Sequence, residues 1–524
     1  MTTSCQTVTA NPLKTSTVFR AMPSARTLLA VSITAILTGC AITPQPLSQD
    51  EQTAQLKLDR SLMFQKQEAV SGPLTIEEAM ARAVKYNLDH RLKLMEEAVS
   101  QRQLDLSRYD LLPKLTVAAG YAGRDSYPAS SSMDIATGTQ SLVPSTSQEK
   151  HRRVADLGFT WNVLDFGVSY YQGQQNADRT LIMKERRRKV VHSLMQQVRQ
   201  AYWLALGAQQ MEAKIPPLLK QVEQALADSR RVEREKLRAP LETLNYQHQL
   251  LDTLRQLEAV RDELAQAKPR LAALMNLEPG KPYTLVAPAS MPVPELRGTL
   301  PQMEETALLQ RPELIEARYN ERISVLETRK AIARLFPGLE ISLTERYDSN
   351  GFLVDNQWTD AGLRVSWNLL NVLSAEQIRE TAEAQVEVAR TQRLALNMAV
   401  LSQVHIAYRD YLGRMRQYEL AADLDDVNRR ILQHTRNAVR NDAQGKTAEI
   451  RAEVGALFAE LRRYQSYGNL HNAYGAMQAT LGTDPLPEQV SGHDLNTLTR
   501  AIAAAGKQAP ASQVATATQT KTEQ

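Results

Sequence analysis

Most of the chain carries apolar residues at three- and four-residue steps, and four short segments alternate with a period of two. The first spacing lines Leu, Ala and Val along one stripe of a helix, and the second places apolar side chains on one face of a strand. The longest helical patterns cover residues 168–236 and 374–441. At 1.5 Å per residue, each predicted helix would reach roughly 100 Å. Helices of that length need a neighbour along their whole length, so we expect coiled-coil packing.

The alternating segments form two pairs, one pair in each half of the chain. Polar or small residues such as Thr160 and Ser342 occupy the face opposite the apolar one. The predicted apolar face comprises Leu157, Phe159, Trp161, Leu343, Val365 and Trp367. Ile341 belongs to the same alternation but is not assigned to this lipid-facing set. A membrane barrel wall, with lipid outside and water inside, has this pattern, and so does a half-buried hairpin of a soluble protein. In a barrel, the six assigned side chains would face the outer-membrane lipid.

The chain contains one internal duplication. Leu112-Pro113 aligns with Phe336-Pro337 at an offset of 224 residues, and Trp161-Asn162 aligns with Trp367-Asn368 at an offset of 206. Each copy predicts a helix, two strands, a long helix, a turn and a return helix. Copies of this length are duplicated folding units, since solenoid repeats are far shorter. The predicted boundaries are 1–39 for a signal segment, 40–73 for a linker, 74–297 and 298–484 for the two copies, and 485–524 for a flexible tail.

The N-terminus is typical of a bacterial lipoprotein signal. Basic residues precede a short apolar run at 28–36, and Leu37-Thr38-Gly39-Cys40 follows directly. The run is too short to span a bilayer. We expect cleavage before Cys40 and acylation of its thiol, with Ala41 favouring outer-membrane sorting by resemblance to bacterial lipoproteins. A plain secretory signal with an incidental cysteine is the alternative, and a start at Met22 would give a more typical signal length.

Charge and motif content do not point to an enzyme. The 62 basic and 58 acidic residues are dispersed along the chain, which argues against nucleic-acid binding. The histidines are scattered, without the spacing of a helical zinc pair, and no nucleophile elbow or phosphate loop is present. We therefore predict no catalytic residue, no metal site and no cofactor. No stretch of 18 consecutive apolar residues follows the signal, so no transmembrane helix is predicted there.

Taken together, the duplication, the order of elements and the lipoprotein signal resemble the TolC family of outer-membrane channel proteins. The resemblance covers residues 74–482. The motifs that carry it are Leu74-Thr75-x-x-Glu78-Ala79, Leu112-Pro113, Trp161-x-x-x-Asp165-x-Gly167 and Leu271-Ala272-Ala273-Leu274.

The resemblance implies a mainly α fold with a small β part. Three copies would each give four strands to one shared 12-stranded membrane β-barrel and their helices to a periplasmic tunnel. The implied partners are a periplasmic adaptor and an inner-membrane pump, and the implied role is efflux of small molecules such as drugs. A channel for type I protein secretion and a periplasmic coiled-coil scaffold lipoprotein without a pore remain alternatives.

The two turns between long and return helices should form the periplasmic tip, farthest from the membrane. Residues expected to contact an adaptor there are Leu237, Ala239, Leu241, Gly445 and Thr447. A purely local use of Gly445 in the turn is the alternative. Pro216-Pro217 interrupts the first long helix and predicts a kink in it.

Overall fold

The computed structural model describes residues 44–237, 239–441, 443, 445–484, 486, 492 and 494–507. Cys40 and the signal segment lie outside this part of the chain. The chain divides into two units, Met1–Gln65 and Lys66–Gln524. The described part of the first unit holds helix α1 (Gln49–Met63), which begins with a reciprocal capping box between Ser48 and Glu51.

The second unit is mainly helical, as the fold class predicted from the sequence requires. Its helices are α2 (Ile76–Tyr86), α3 (Leu88–Ser107), α4 (Val163–Glu212), α5 (Ile215–Arg234), α6 (Pro240–Ala265), α7 (Ala267–Leu274), α8 (Leu300–Gln310), α9 (Pro312–Ala333), α10 (Leu370–Leu373), α11 (Ala375–Arg440), α12 (Lys446–Leu481) and α13 (Leu495–Lys507). With 66 residues, α11 alone is roughly 100 Å long at the helical rise.

Four strands form one antiparallel sheet in the order β1-β2-β3-β4. They are β1 (Lys114–Gly123), β2 (His151–Asn162), β3 (Gly338–Asp348) and β4 (Gln357–Ser366). Each copy of the duplication supplies one hairpin, and the hairpins join where Phe159 of β2 lies opposite Leu343 of β3. The strands β1 and β4 are left as the two edges of the sheet.

The helices next to the sheet follow the same order as the strands. Side by side they run α3, α4, α9, α11. This order matches that of the strands because α3 precedes β1, α4 follows β2, α9 precedes β3 and α11 follows β4. The layer therefore ends on α3, beside the β1 edge, and on α11, beside the β4 edge. Farther from the sheet, α5 pairs with α6, and α12 packs between α11 and α4.

Two of the predicted helices are broken in the structure, each at a proline. The expected kink at Pro216-Pro217 is a complete break: α4 ends at Glu212, and both prolines lie in the first turn of α5, where no intrahelical N–H is required. The first return helix is likewise split, and Pro269 stands in the first turn of α7. Its counterpart α12 is continuous and ends at Gly482.

Gly482 closes the second copy in a way that requires glycine. Its φ is +71°, and a Cβ there would lie 2.6 Å from the backbone of Arg311. The expected flexible tail at 485–524 is wrong for residues 495–507, which form α13 and pack on α2 through Leu495, Leu498 and Ile502. No helix in the described ranges is long and apolar enough to cross a membrane.

Candidate functional site

The strand register places the predicted apolar residues on one face of the sheet. Leu115, Phe159 and Leu343 lie directly opposite one another across three strands, so their side chains share a face. The same register brings Leu157, Trp161 and Val365 to that face. Leu115 is 70% exposed and Val365 is 66% exposed. A face so apolar and so exposed is unusual on a chain that works alone in water.

Ile341, which was left out of the predicted lipid-facing set, belongs to the apolar face of the sheet. It lies opposite Trp161 on β2 and Leu363 on β4. The physical reason is the period of two along a strand, which puts Ile341 on the same face as Leu343. The apolar face therefore continues along β3 without a gap at this level.

Trp367 belongs to the same alternation but lies just beyond β4. Its indole Nε1–H donates to the carbonyl oxygen of Leu335 at 3.0 Å, which fixes the ring at the helical end of the sheet. Trp161, its counterpart in the first copy, stands edge-on to Phe166 with the ring centroids 6.1 Å apart. Both tryptophans therefore lie at the level where the sheet passes into helices.

One polar group on the apolar face escaped the sequence reasoning. Glu345 lies opposite Leu157 on one side and Thr359 on the other. Its carboxylate accepts hydrogen bonds from the Thr359 hydroxyl and, at 2.8 Å, from the Gln357 side-chain amide. The sequence did contain a signal for this group, because Glu345 is a charged residue at a position where the period-two pattern of β3 calls for an apolar one.

The two terminal helices of the layer carry apolar stripes that are exposed among the described residues. On α3 the exposed stripe consists of Leu88, Leu92, Met95, Val99 and Leu106. On α11 it consists of Val388, Ile406, Leu420, Leu424, Val427 and Ile431. The spacings of each set keep it on one face of its helix. A shallow depression on α11, lined by Ala384, Glu387, Val388, Thr391 and Gln392, lies at the Val388 end of this stripe.

The contacts inside the layer are, by contrast, strongly polar. Asp178 of α4 is buried and forms an ion pair with Arg322 of α9. Lys330 of α9, also buried, donates to the side-chain oxygens of Gln172 and Gln175 on α4 at 3.0 and 3.2 Å. The seam between α4 and α9, which joins the two copies within one chain, is therefore held by charge and hydrogen bonds.

The two turns of the predicted tip lie at the ends of α5–α6 and α11–α12. Leu237 and Leu241 are exposed there. Ala239 is the N-cap of α6 and Gly445 the N-cap of α12. The φ of Gly445 is −83°, a conformation open to any residue, and a Cβ there would meet no atom within 4 Å. The turn itself therefore does not require glycine at this position.

Thr447 lines a cleft next to the tip that was not predicted from the sequence. The cleft, of about 720 Å³, lies between α5, α6 and the first turns of α12. The Thr447 hydroxyl lies 3.2 Å from the phenol oxygen of Tyr246. Two buried polar atoms of its lining residues, Gln221 Oε1 and Ser229 Oγ, have no hydrogen-bond partner among the described residues. Ser229 lies on the same helix face as the apolar Leu218 and Val222. A polar residue at a position that should be buried was the signal in the sequence for this cleft.

In the part of the chain that the structure describes, no group of three His, Cys, Asp or Glu side chains is arranged to hold a metal ion.

Comparison with known proteins gives the following. The family model of outer membrane efflux proteins matches residues 90–277. The solved outer membrane channel CmeC of Campylobacter jejuni is 13% identical with a TM-score of 0.62, and the match covers 89% of this chain and 97% of that chain. The outer-membrane channel OprN is 19% identical with a TM-score of 0.59, covering 78% and 89%. The open-state MtrE channel of Neisseria gonorrhoeae is 17% identical with a TM-score of 0.58, covering 78% and 90%. No curated protein sequence matches the chain. At these identities the structural likeness establishes the fold.

Proposed function

We infer from the match of residues 90–277 to the family model of outer membrane efflux proteins, together with the fold, that this chain is one subunit of a ring-shaped export channel. In this proposal three copies close one sheet of twelve strands in the outer membrane and one wall of helices below it. The observation that carries the proposal is that the edges of the sheet coincide with the edges of the helix layer. The sheet ends on β1 and β4, and the helix layer ends on α3 and α11, which lie beside those two strands. Both terminal helices present exposed apolar stripes.

Edge pairing explains why the copies form a ring. The free edge of β1 in one copy can pair only with a free edge of another copy, and β4 is the edge at the opposite end of the sheet. Joining β1 to β4 is a head-to-tail contact, which closes into a ring when the rotation is right. An unpaired edge is costly in lipid, because its N–H and C=O groups have no water to bond. Three copies give an even strand number, as bacterial barrels have.

The duplication supports the same closure among the helices. Within one chain, α4 of the first copy packs on α9 of the second. Applying the repeat offsets of 206 and 224 turns this seam into α11 of one chain against α3 of the next. At this seam the position of Asp178 corresponds to Ala384, and the position of Arg322 corresponds to Ala98. The ion pair between buried Asp178 and half-exposed Arg322 inside the chain is thus replaced by small apolar residues at the proposed seam between chains.

Two further residue pairs follow the same rule. Glu316 corresponds to Leu92 and Lys330 to Leu106 on α3, both on its exposed stripe. The depression at Ala384 and Val388 on α11 lies where the offset places this stripe. Charges that are paired inside the chain are therefore absent from the faces left free, which suits burial against a second copy of the chain.

At the far end, we propose that the tip binds a helical segment of a periplasmic adaptor, which in turn contacts an inner-membrane pump. The exposed Leu237 and Leu241 would supply apolar contact, and a bare Gly445 permits close approach of a partner backbone. Within the described ranges, Gln221 Oε1 and Ser229 Oγ in the adjoining cleft lack hydrogen-bond partners, which favours a binding partner that offers hydrogen bonds. We also propose that acylated Cys40 anchors each copy in the outer membrane.

The experiment that tests the conduit is electrical. Purified, detergent-solubilised protein is added to a planar lipid bilayer, and single-channel current is recorded. The channel proposal expects discrete conductance steps from trimers isolated by size exclusion. A coiled-coil scaffold without a pore would give none. Silent bilayers into which the protein has demonstrably inserted would overturn the proposal.

A further inference from the structure

The segment that connects the two copies of the duplication is held in an unusual way. Residues 285–296, here called the inter-repeat strap, form neither helix nor strand apart from one isolated bridge at Leu285. Pro288, Pro292 and Pro294 remove three of its backbone donors. Only Leu285 of the strap is buried, so the strap lies on the surface of the helices, and its carbonyl groups that face them need donors from those helices.

Four tyrosines donate those hydrogen bonds. The Tyr202 hydroxyl on α4 donates to the carbonyl oxygen of Val286 at 2.9 Å. On α11, Tyr418 donates to Met291 at 3.0 Å, and Tyr411 donates to Pro294. On α12, Tyr467 donates to Pro292 at 2.9 Å. The four phenols therefore attach one strap to three long helices, near the middle of α4–α5 and of α11.

The surroundings keep these phenols in place and protonated. All four tyrosines are more than nine-tenths buried. Burial raises the pKa of each phenol, so each remains a hydrogen-bond donor. The ring of Tyr467 packs edge-on against Trp203 with centroids 4.6 Å apart and tilted against Tyr418 at 5.0 Å. The strap thus rests on a rigid aromatic cluster that spans the three helices.

We propose that the inter-repeat strap is a tie that holds the tip half of the channel in its resting arrangement. This inference rests on the proposed function, since it assigns the tie to a channel whose far end is the tip. The part next to the sheet has its own restraints, namely the four-stranded sheet and the polar seam between α4 and α9. Between these restraints and the tip, the strap joins α4 to the α11–α12 pair. Releasing the strap should therefore loosen the helices between the strap and the tip, and leave the part between the strap and the sheet unchanged.

The test removes two phenol hydroxyls and keeps the rings. Tyr411→Phe/Tyr418→Phe is compared with Tyr408→Phe, a tyrosine on the same helix for which the structure shows no hydrogen bond to the strap. Trypsin cleavage after the exposed Arg297 reports release of the strap. A hydrogen bond is worth about a fivefold change in an opening equilibrium, so we expect cleavage to rise roughly 25-fold in the double variant, which lacks two of them.

Two cysteine reporters locate the loosening in purified trimers. Ser229→Cys reports on the tip cleft, and Ser100→Cys reports on the interface of α3 with α4; both serines are buried. After the predicted processing, Cys40 is the other cysteine, and its thiol is expected to be acylated. In the double tyrosine variant, we expect maleimide labelling at position 229 to become at least about fivefold faster, while labelling at position 100 stays unchanged.

Three results would overturn the inference. Unchanged trypsin cleavage would mean that the phenols do not hold the strap. Faster cleavage without faster labelling at 229 would mean that the strap does not restrain the tip. Equal acceleration at 229 and 100 would indicate general loosening. None of these readouts uses transport, so bilayer conductance of the same variants tests the proposed channel separately. If the double variant fails to assemble, Tyr418→Phe alone is expected to give about a fivefold effect on cleavage.

Discussion

A charge placed in the proposed seam between copies should prevent the ring from assembling. Val99 lies in the exposed stripe of α3 and is 54% exposed in the single chain. In the ring it would be buried against α11 of the next copy. Val99→Asp would put an unpaired carboxylate there, because the residues lining the α11 depression at that level, such as Ala384 and Val388, carry no positive charge.

The magnitude follows from two terms. Burying the exposed half of a valine is worth about 1 kcal/mol, which the substitution loses. A buried carboxylate without a partner costs about 3–5 kcal/mol more. Each seam would therefore lose about 4–6 kcal/mol, and a trimer with three seams would lose more than about 10 kcal/mol. Gln101→Asp is the matched control, since Gln101 is exposed on α3 away from the stripe.

The assay compares trimer abundance and heat resistance of the two variants in detergent extracts, by native mass spectrometry or gel mobility. We expect Val99→Asp to leave monomers, with helix content near that of the parent, and Gln101→Asp to remain trimeric. Equal stability of the two variants as trimers would refute the seam on α3.

Three shorter predictions address the anchor, the sheet and the tip. Cys40→Ser should abolish incorporation of labelled fatty acid, and undiminished labelling would refute acylation at Cys40. Leu343→Arg, on the exposed apolar face, should weaken membrane insertion by up to about 2–4 kcal/mol if its position is near the bilayer centre, whereas Ser342→Arg on the opposite face should be tolerated; equal insertion of both would contradict the face assignment. Gly445→Trp should lower transport at normal trimer abundance while Gly445→Ala preserves it, because the backbone there does not need glycine; full transport by the Trp variant would remove the tip from recognition.

Local patterns in the sequence predicted the helices and strands well where an element has one clearly apolar face. The alternation through Phe159 and Leu343 fixed two hairpins, and the duplication anticipated that Trp161 and Trp367 would lie at the same end of the sheet. The long helices followed from the three- and four-residue spacing. Proline positions were read less well, because a proline that starts a new helix and one that kinks an existing helix have the same local sequence.

Features set by distant contacts were not predictable. The helix at Leu495–Lys507 has a short apolar stripe that becomes meaningful only against α2. The tip cleft depends on how far α5 stands from α12 near Ser229, and the strap depends on where Tyr411 and Tyr467 meet its carbonyls. In each case the deciding partner is far away in sequence, and periodicity carries no information about it.

The most direct test of the ring is a cross-link across the seam that the duplication defines. Ala98 and Ala384 correspond to Arg322 and Asp178, which form an ion pair within the chain. In a protein carrying Ala98→Cys and Ala384→Cys, a short bis-maleimide should join neighbouring copies and give covalent dimers and closed trimers on a denaturing gel. Each single-cysteine protein should give monomers. Monomers alone from the double-cysteine protein, under conditions where trimers are otherwise present, would contradict the proposed assembly.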